Sequence, residues 1–91
     1  MRVRLLVSGR VQGVGFRWFV REAARRHRLP GWVRNRPDGG VEIEVSRDDG
    51  SAYSAFLETI REGPPGARVD QVQEEASSDA ESLPQPFTII R

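Results

Sequence analysis

An α+β sandwich, an antiparallel sheet with two helices on one face, is predicted by three features of this 91-residue sequence. Residues 2–8 and 41–45 alternate apolar and polar side chains with the period of a strand. Residues 16–27 and 53–60 instead repeat apolar side chains every three or four positions, the period of a helix, and glycine- and proline-rich breaks punctuate the chain between them.

Taken in order, Val3, Leu5 and Val7 form the buried side of a first strand over 2–8, and Leu6 on the opposite face marks a central position. Gly9-Arg10-Val11-Gln12-Gly13-Val14-Gly15 has three glycines in seven residues and is a loop able to take unusual backbone angles. Phe16, Phe19, Val20, Ala23, Ala24 and His27 make the apolar stripe of a helix that Pro30-Gly31 stops. Trp32 and Val33 build a short strand over 31–36, Pro37-Asp38-Gly39-Gly40 is a hairpin turn, and 41–45 returns with its acids, Glu42 and Glu44, facing solvent. Asp49 or Ser51 caps a second helix buried through Tyr53, Phe56, Leu57 and Ile60 and ended by Gly63-Pro64-Pro65-Gly66. In the strand over 67–75, Val69 and Val72 stand three apart, which requires a bulge. Residues 77–84 form a polar loop, and Phe87-Thr88-Ile89-Ile90 is a closing strand. Strand, helix, strand, strand, helix, strand, with a short final strand or extension, is the order of a ferredoxin-like split βαβ sandwich, here a single domain spanning 1–91.

Composition removes several classes of function. No apolar run approaches the roughly 18 residues of a membrane span, and the N-terminus lacks the apolar stretch of a secretory signal, so a cytoplasmic protein with no membrane partner is expected. With no cysteine there is no disulfide, thiolate nucleophile or zinc-thiolate centre, and one histidine cannot build a multi-histidine metal site. The net charge of +1 conceals +9 over residues 1–36 and −8 over 37–91. All fourteen basic residues are arginine, whose planar fork suits phosphate and carboxylate, so an anionic partner of the N-terminal third is one reading and a bias against lysine is the other. Arg21, Arg25, Arg26 and Arg28 read as a solvated helix face, with Glu22 and Arg26 in the favourable i,i+4 order. In an interleaved sandwich most of the remaining charge should neutralise across neighbouring strands.

Chemistry concentrates in the glycine loop. A helix N-terminus leaves backbone N–H groups unpartnered and carries about half a positive charge. Glycines let such groups converge on one anion, and Arg17 in the first helical turn adds a bidentate cation, so loop and arginine together describe a pocket for one phosphate-sized group. A Walker A loop is excluded by the absence of lysine, and a dinucleotide fingerprint by the lack of a third glycine after Gly13-Val14-Gly15. The RNA-recognition motif shares the order of elements, but its stacking aromatics lie on a strand, whereas here the corresponding segment, Gln12 to Phe19, opens a helix. Asn35 by itself suits the start of the following turn. His27 reads as a helix-end residue, Trp18 and Trp32 as packing residues with Trp32 nearer a pocket rim.

Two longer segments resemble the signatures of the acylphosphatase family. Gly9-Arg10-Val11-Gln12-Gly13-Val14-Gly15-Phe16-Arg17 is similar to the first, and Gly31-Trp32-Val33-Arg34-Asn35, with Asp38-Gly39 and Val41-Glu42, to the second. Gly63-Pro64-Pro65-Gly66-Ala67-Arg68-Val69 and the Phe87 strand also match. The resemblance implies hydrolysis of acyl phosphates to a carboxylate and inorganic phosphate, without metal or other cofactor. It implies that the loop backbone through Val11, Gln12, Gly13, Val14, Gly15 and Phe16, with the Arg17 side chain, binds the phosphoryl group. It further implies that Asn35 positions the attacking water. Such chemistry asks mainly for positioning and charge stabilisation, because the carboxylate leaving group needs little acid assistance. A small-molecule substrate, no nucleic acid and a monomer are the expected partners and state; a non-catalytic anion- or RNA-binding module on the same fold is the alternative. A segment of a larger carbamoyl-transfer maturation protein fits less well, since the sequence ends at Arg91 and has none of the cysteines of a zinc module.

Overall fold

Alternating apolar residues carry β1 (Arg2–Arg10) through the middle of the molecule, with Val3, Leu5 and Val7 buried against two helices. The computed structural model describes residues 1–47, 51–77 and 82–91. Within these, α1 (Phe16–Arg26), β2 (Gly31–Asn35), β3 (Val41–Ser46), α2 (Ser51–Glu62), β4 (Arg68–Ala76) and β5 (Thr88–Ile89) follow in the predicted order. The sheet runs β4-β1-β3-β2-β5. Its core is built from Leu5, Val33, Val41, Ile43 and Val45 on the strands, Phe16, Val20, Ala23 and Ala24 on α1, and Tyr53, Phe56 and Ile60 on α2.

The bulge falls where the valine spacing requires it. Gln71 pairs with Ser8 and Val69 with Gly9, so Asp70 is the extra residue and both valines keep one face. Pairing with β4 also extends β1 to Arg10, two residues into the predicted glycine loop.

The fifth strand departs from expectation. It pairs parallel with β2, Trp32 opposite Thr88 and Val33 opposite Ile89, so the sheet is mixed rather than wholly antiparallel. The direction follows from where the chain enters: the Gly31 N–H donates to the Pro84 carbonyl at the start of β2, and the Ile90 N–H donates to the Val33 carbonyl further along. Phe87, 6.3 Å from the Phe56 ring, anchors this strand in the core. Arg25 is not simply solvated, since its Nε donates to the Phe87 carbonyl at 2.9 Å. Glu22 accepts from Arg21 rather than Arg26.

α1 ends on a Schellman arrangement: Arg28 N–H donates to the Arg25 carbonyl and Leu29 N–H to the Ala24 carbonyl, with His27 the capping residue. This is the helix-end position expected of His27. Ser51 is the first residue of α2 rather than its cap, and Asp49 lies outside the described residues.

Glu42 and Glu44 are the largest correction. Both are buried although they point away from the helices. Antiparallel register sets Arg4 beside Glu44 on β1 and β3, and Arg34 beside Glu42 on β2 and β3. Glu44 accepts from Arg2 Nε at 2.7 Å and Arg4 Nε at 2.6 Å, while Glu42 meets Arg4 at 3.1 Å and Arg34 at 2.8 Å. The Arg34 guanidinium in turn lies 5.2 Å over the Trp32 ring. The arginines of the N-terminal third therefore neutralise acids of the second half on the helix-free face, as the interleaved topology demands.

Burial raises the Glu44 pKa, but the hydrogen bonds from Arg2 and Arg4 outweigh it and hold the carboxyl below its ordinary value of 4.5. A group whose pKa is depressed on folding stabilises the protein above its unfolded pKa and loses that contribution as pH falls through the folded one. Stability should thus be insensitive to Glu44 above about pH 5 and decline below about 4.5. Glu44→Gln should cost about 2 kcal/mol at pH 7, with arginines left facing a neutral amide. Urea unfolding of both proteins from pH 7 to 3 checks this; a gap that stayed constant on acidification would remove the ionised carboxylate from the explanation.

Candidate active site

The glycine loop reaches α1 through two left-handed turns of backbone, Gly13 at φ 75° and Gly15 at φ 76°. A side chain at either position would meet nothing within 4 Å, so backbone conformation rather than space calls for glycine. Gly15 is the N-cap and offers no side-chain acceptor, and no acidic residue stands in the first turn. The first intrahelical bond runs from Phe19 N–H to the Gly15 carbonyl, which leaves the N–H groups of residues 16–18 without a partner inside the helix.

Arg17 sits half-buried at this positive end. Its guanidinium has no carboxylate or carbonyl partner among the described residues. A cation at a helix N-terminus is unfavourable by about 0.3–1 kcal/mol. Its placement makes sense when an anion lies between guanidinium and helix.

Asn35, the last residue of β2, pairs with Val41 and so shares the helix-facing side of the sheet. Its Oδ1 is buried and has no hydrogen-bond partner among the described residues. An orphaned acceptor of this kind costs about 1–3 kcal/mol, which a bound water or ligand donor offsets.

Loop and strand are locked together by Gln12. Its Nε2 donates to the Arg36 carbonyl at 2.8 Å and the Gly40 carbonyl at 2.7 Å, tying the glycine loop to the hairpin that follows Asn35. In that hairpin Asp38 accepts from the Gly40 N–H at 2.9 Å and from Arg36, and both bonds hold its carboxyl below the usual range.

One pocket of about 230 Å³ gathers Val11, Gly13, Gly15, Phe16, Arg17 and Asn35, with Trp18 and Ile89 added at its walls. Six of the eight residues named from the sequence are thus brought together. Gln12 is turned to the hairpin, and Val14 packs against the core. Trp18 was read as a packing residue, yet it is 58% exposed and lines the pocket, whereas Trp32 does not. The helical stripe carried the signal, because Trp18 falls outside the spacing of Phe16, Phe19 and Val20. Ile89 had no such signal, since it depends on the parallel pairing of β5. A larger depression of about 410 Å³ on the helix-free face contains Arg36 and Asp38, already paired, and none of the predicted residues.

The pocket wall has no acid, histidine or hydroxyl, so it offers charge and hydrogen bonds but no nucleophile and no proton acceptor of ordinary strength. The segment similar to an RNA-recognition consensus opens α1, and Phe16 is 1% exposed, which removes it as a stacking platform.

Fold and site together define a small ferredoxin-like α+β protein with a candidate anion pocket. The family model described as Acylphosphatase matches residues 3–89, and the chain belongs to the acylphosphatase family. It is 47% identical over 87 residues to an acylphosphatase of Rhizobium etli, covering 96% of this chain and 90% of that protein. Likewise, it is 44% identical to an acylphosphatase of Bacillus licheniformis, over 98% of this chain and 97% of the relative. The crystal structure of acylphosphatase from Bacillus subtilis is similar with a TM-score of 0.89 at 39% identity, over 99% of this chain and 98% of that one. Full-length HypF in a phosphate- and nucleotide-bound form matches 99% of this chain but 12% of its own, with a TM-score of 0.78 at 32% identity.

Proposed function

We propose that this protein hydrolyses the carboxyl-phosphate bond of small acyl phosphates without a metal ion. The observation that carries the reading is the convergence of an unpartnered Arg17 and an unpartnered Asn35 Oδ1 on one pocket at the start of α1. The phosphoryl oxygens accept from the loop and first-turn N–H groups and from the Arg17 fork. Asn35 Oδ1 accepts a hydrogen bond from water and aims its oxygen at phosphorus.

Water oxygen then forms the new bond to phosphorus as the bond from phosphorus to the acyl oxygen breaks, and its electron pair leaves on the carboxylate. An amide cannot take the water proton at neutral pH, so the proton passes to a phosphoryl oxygen. Products are a carboxylate and inorganic phosphate. Catalysis of this type rests on positioning and on charge stabilisation of a loose transition state. Among the described residues no group of three histidine or acidic side chains is placed to hold an ion.

Phosphate release from acetyl phosphate and benzoyl phosphate, each with excess chelator, tests the proposal. Turnover unchanged by chelator is the expected result. No turnover above the spontaneous rate would refute the reaction, and activity lost to chelator and restored by a divalent ion would refute its metal-free form. Salt-sensitive, weak binding of short RNA is expected in a parallel titration.

A further inference from the structure

Trp18 is the one large apolar side chain of α1 that neither enters the core nor meets another ring. It is 58% exposed, while Phe16 beside it is buried and Phe19 packs against the core. An indole left in water at a helix start serves no packing purpose, yet it stands next to Arg17 and forms part of the same pocket wall. Ile89 and Val11 also contribute to the lining of this pocket. The lining is therefore two-sided in its chemistry: charge and N–H groups come from Arg17 and the loop, aromatic and aliphatic carbon from Trp18, Ile89 and Val11.

Volume decides which part of a substrate each side receives. About 230 Å³ is below the roughly 300–1,000 Å³ of sites that enclose whole drug-sized ligands. A phosphoryl group bound at the N–H groups and Arg17 takes up much of that space, so the acyl substituent extends toward the exposed part of the lining, to which the indole belongs. Resting on the reaction proposed above, we infer that Trp18 is a specificity-determining residue that favours acyl phosphates with an aromatic or large apolar acyl group over acetyl phosphate. The ring stacks on or edges against the substituent, removing apolar surface of both from water, a contact that a methyl group is too small to make.

The test separates recognition from turnover. Phenacylphosphonate and acetonylphosphonate carry a methylene in place of the scissile oxygen and differ only in phenyl against methyl. Calorimetric titration should give about tenfold tighter binding of the phenyl compound to the unaltered protein. Trp18→Ala should collapse that ratio to within about twofold, and Trp18→Phe should retain most of it. The ratio of kcat/KM for benzoyl phosphate over acetyl phosphate should move in parallel. An unaltered ratio in Trp18→Ala, or an equal loss for both phosphonates, would overturn the inference. Absence of turnover with either acyl phosphate would overturn the reaction instead, and the phosphonate ratio would still decide the role of Trp18.

Discussion

Arg17→Ala is expected to lower kcat/KM for an acyl phosphate by a few hundredfold, about 3 kcal/mol, and to weaken inhibition by inorganic phosphate. The size follows from the environment. Arg17 is half-buried, has no protein partner among the described residues, and stands where the α1 dipole already presents positive charge. No described residue compensates that charge, so its full interaction is available to an anion. The same geometry predicts the opposite effect on stability. Removing a cation from a helix N-terminus relieves about 0.3–1 kcal/mol of repulsion, so the alanine variant should unfold at equal or higher urea concentration. Arg17→Lys should recover only part of the activity, because a point charge replaces a fork that can hold two phosphoryl oxygens. A variant that lost stability but kept its phosphate affinity would make Arg17 a structural residue.

What could be read ahead of the structure depended on how local the determining contacts are. The helices and central strands were legible because each places one periodic face on a common core, and the bulge because two valines three apart had to share that face. Burial of Glu42 and Glu44 was not, since alternation tells which face an acid occupies but not what covers it. The cover comes from Arg2 and Arg4, some forty positions away in sequence, through a register that only pairing sets. The direction of β5 likewise follows from the Pro84 contact at Gly31, a tertiary event around a two-residue strand. At the site, Arg17 and the loop are contiguous and declared themselves as an anion pocket. Gln12 did not, because its amide acts on carbonyls 24 and 28 residues on. Asn35 read as an ordinary turn residue until the acylphosphatase signature singled it out, and what distinguishes it physically is an unsatisfied oxygen that exists only after α1 docks on β2.

That oxygen underlies the sharpest separation of binding from chemistry. Asn35→Ala should reduce kcat by about a thousandfold or more, roughly 4 kcal/mol, while the inhibition constant of inorganic phosphate changes by no more than about threefold. In the proposed site the phosphoryl group is held by N–H groups and Arg17, none of which belongs to β2, so its affinity should survive the loss of the amide. The aim of the water should not, because the pocket wall supplies no other side-chain acceptor. Stability should fall little, since the deleted acceptor makes no hydrogen bond with the protein. Asn35→Asp adds a control of opposite character. It keeps an acceptor of the same shape but sets a negative charge beside the phosphoryl site, so it should impair phosphate binding as well as turnover. If Asn35→Ala instead weakened phosphate binding as strongly as it slowed the reaction, the amide would be a ligand of the phosphoryl group. The orienting of water would then have to come from the loop backbone or from the substrate itself.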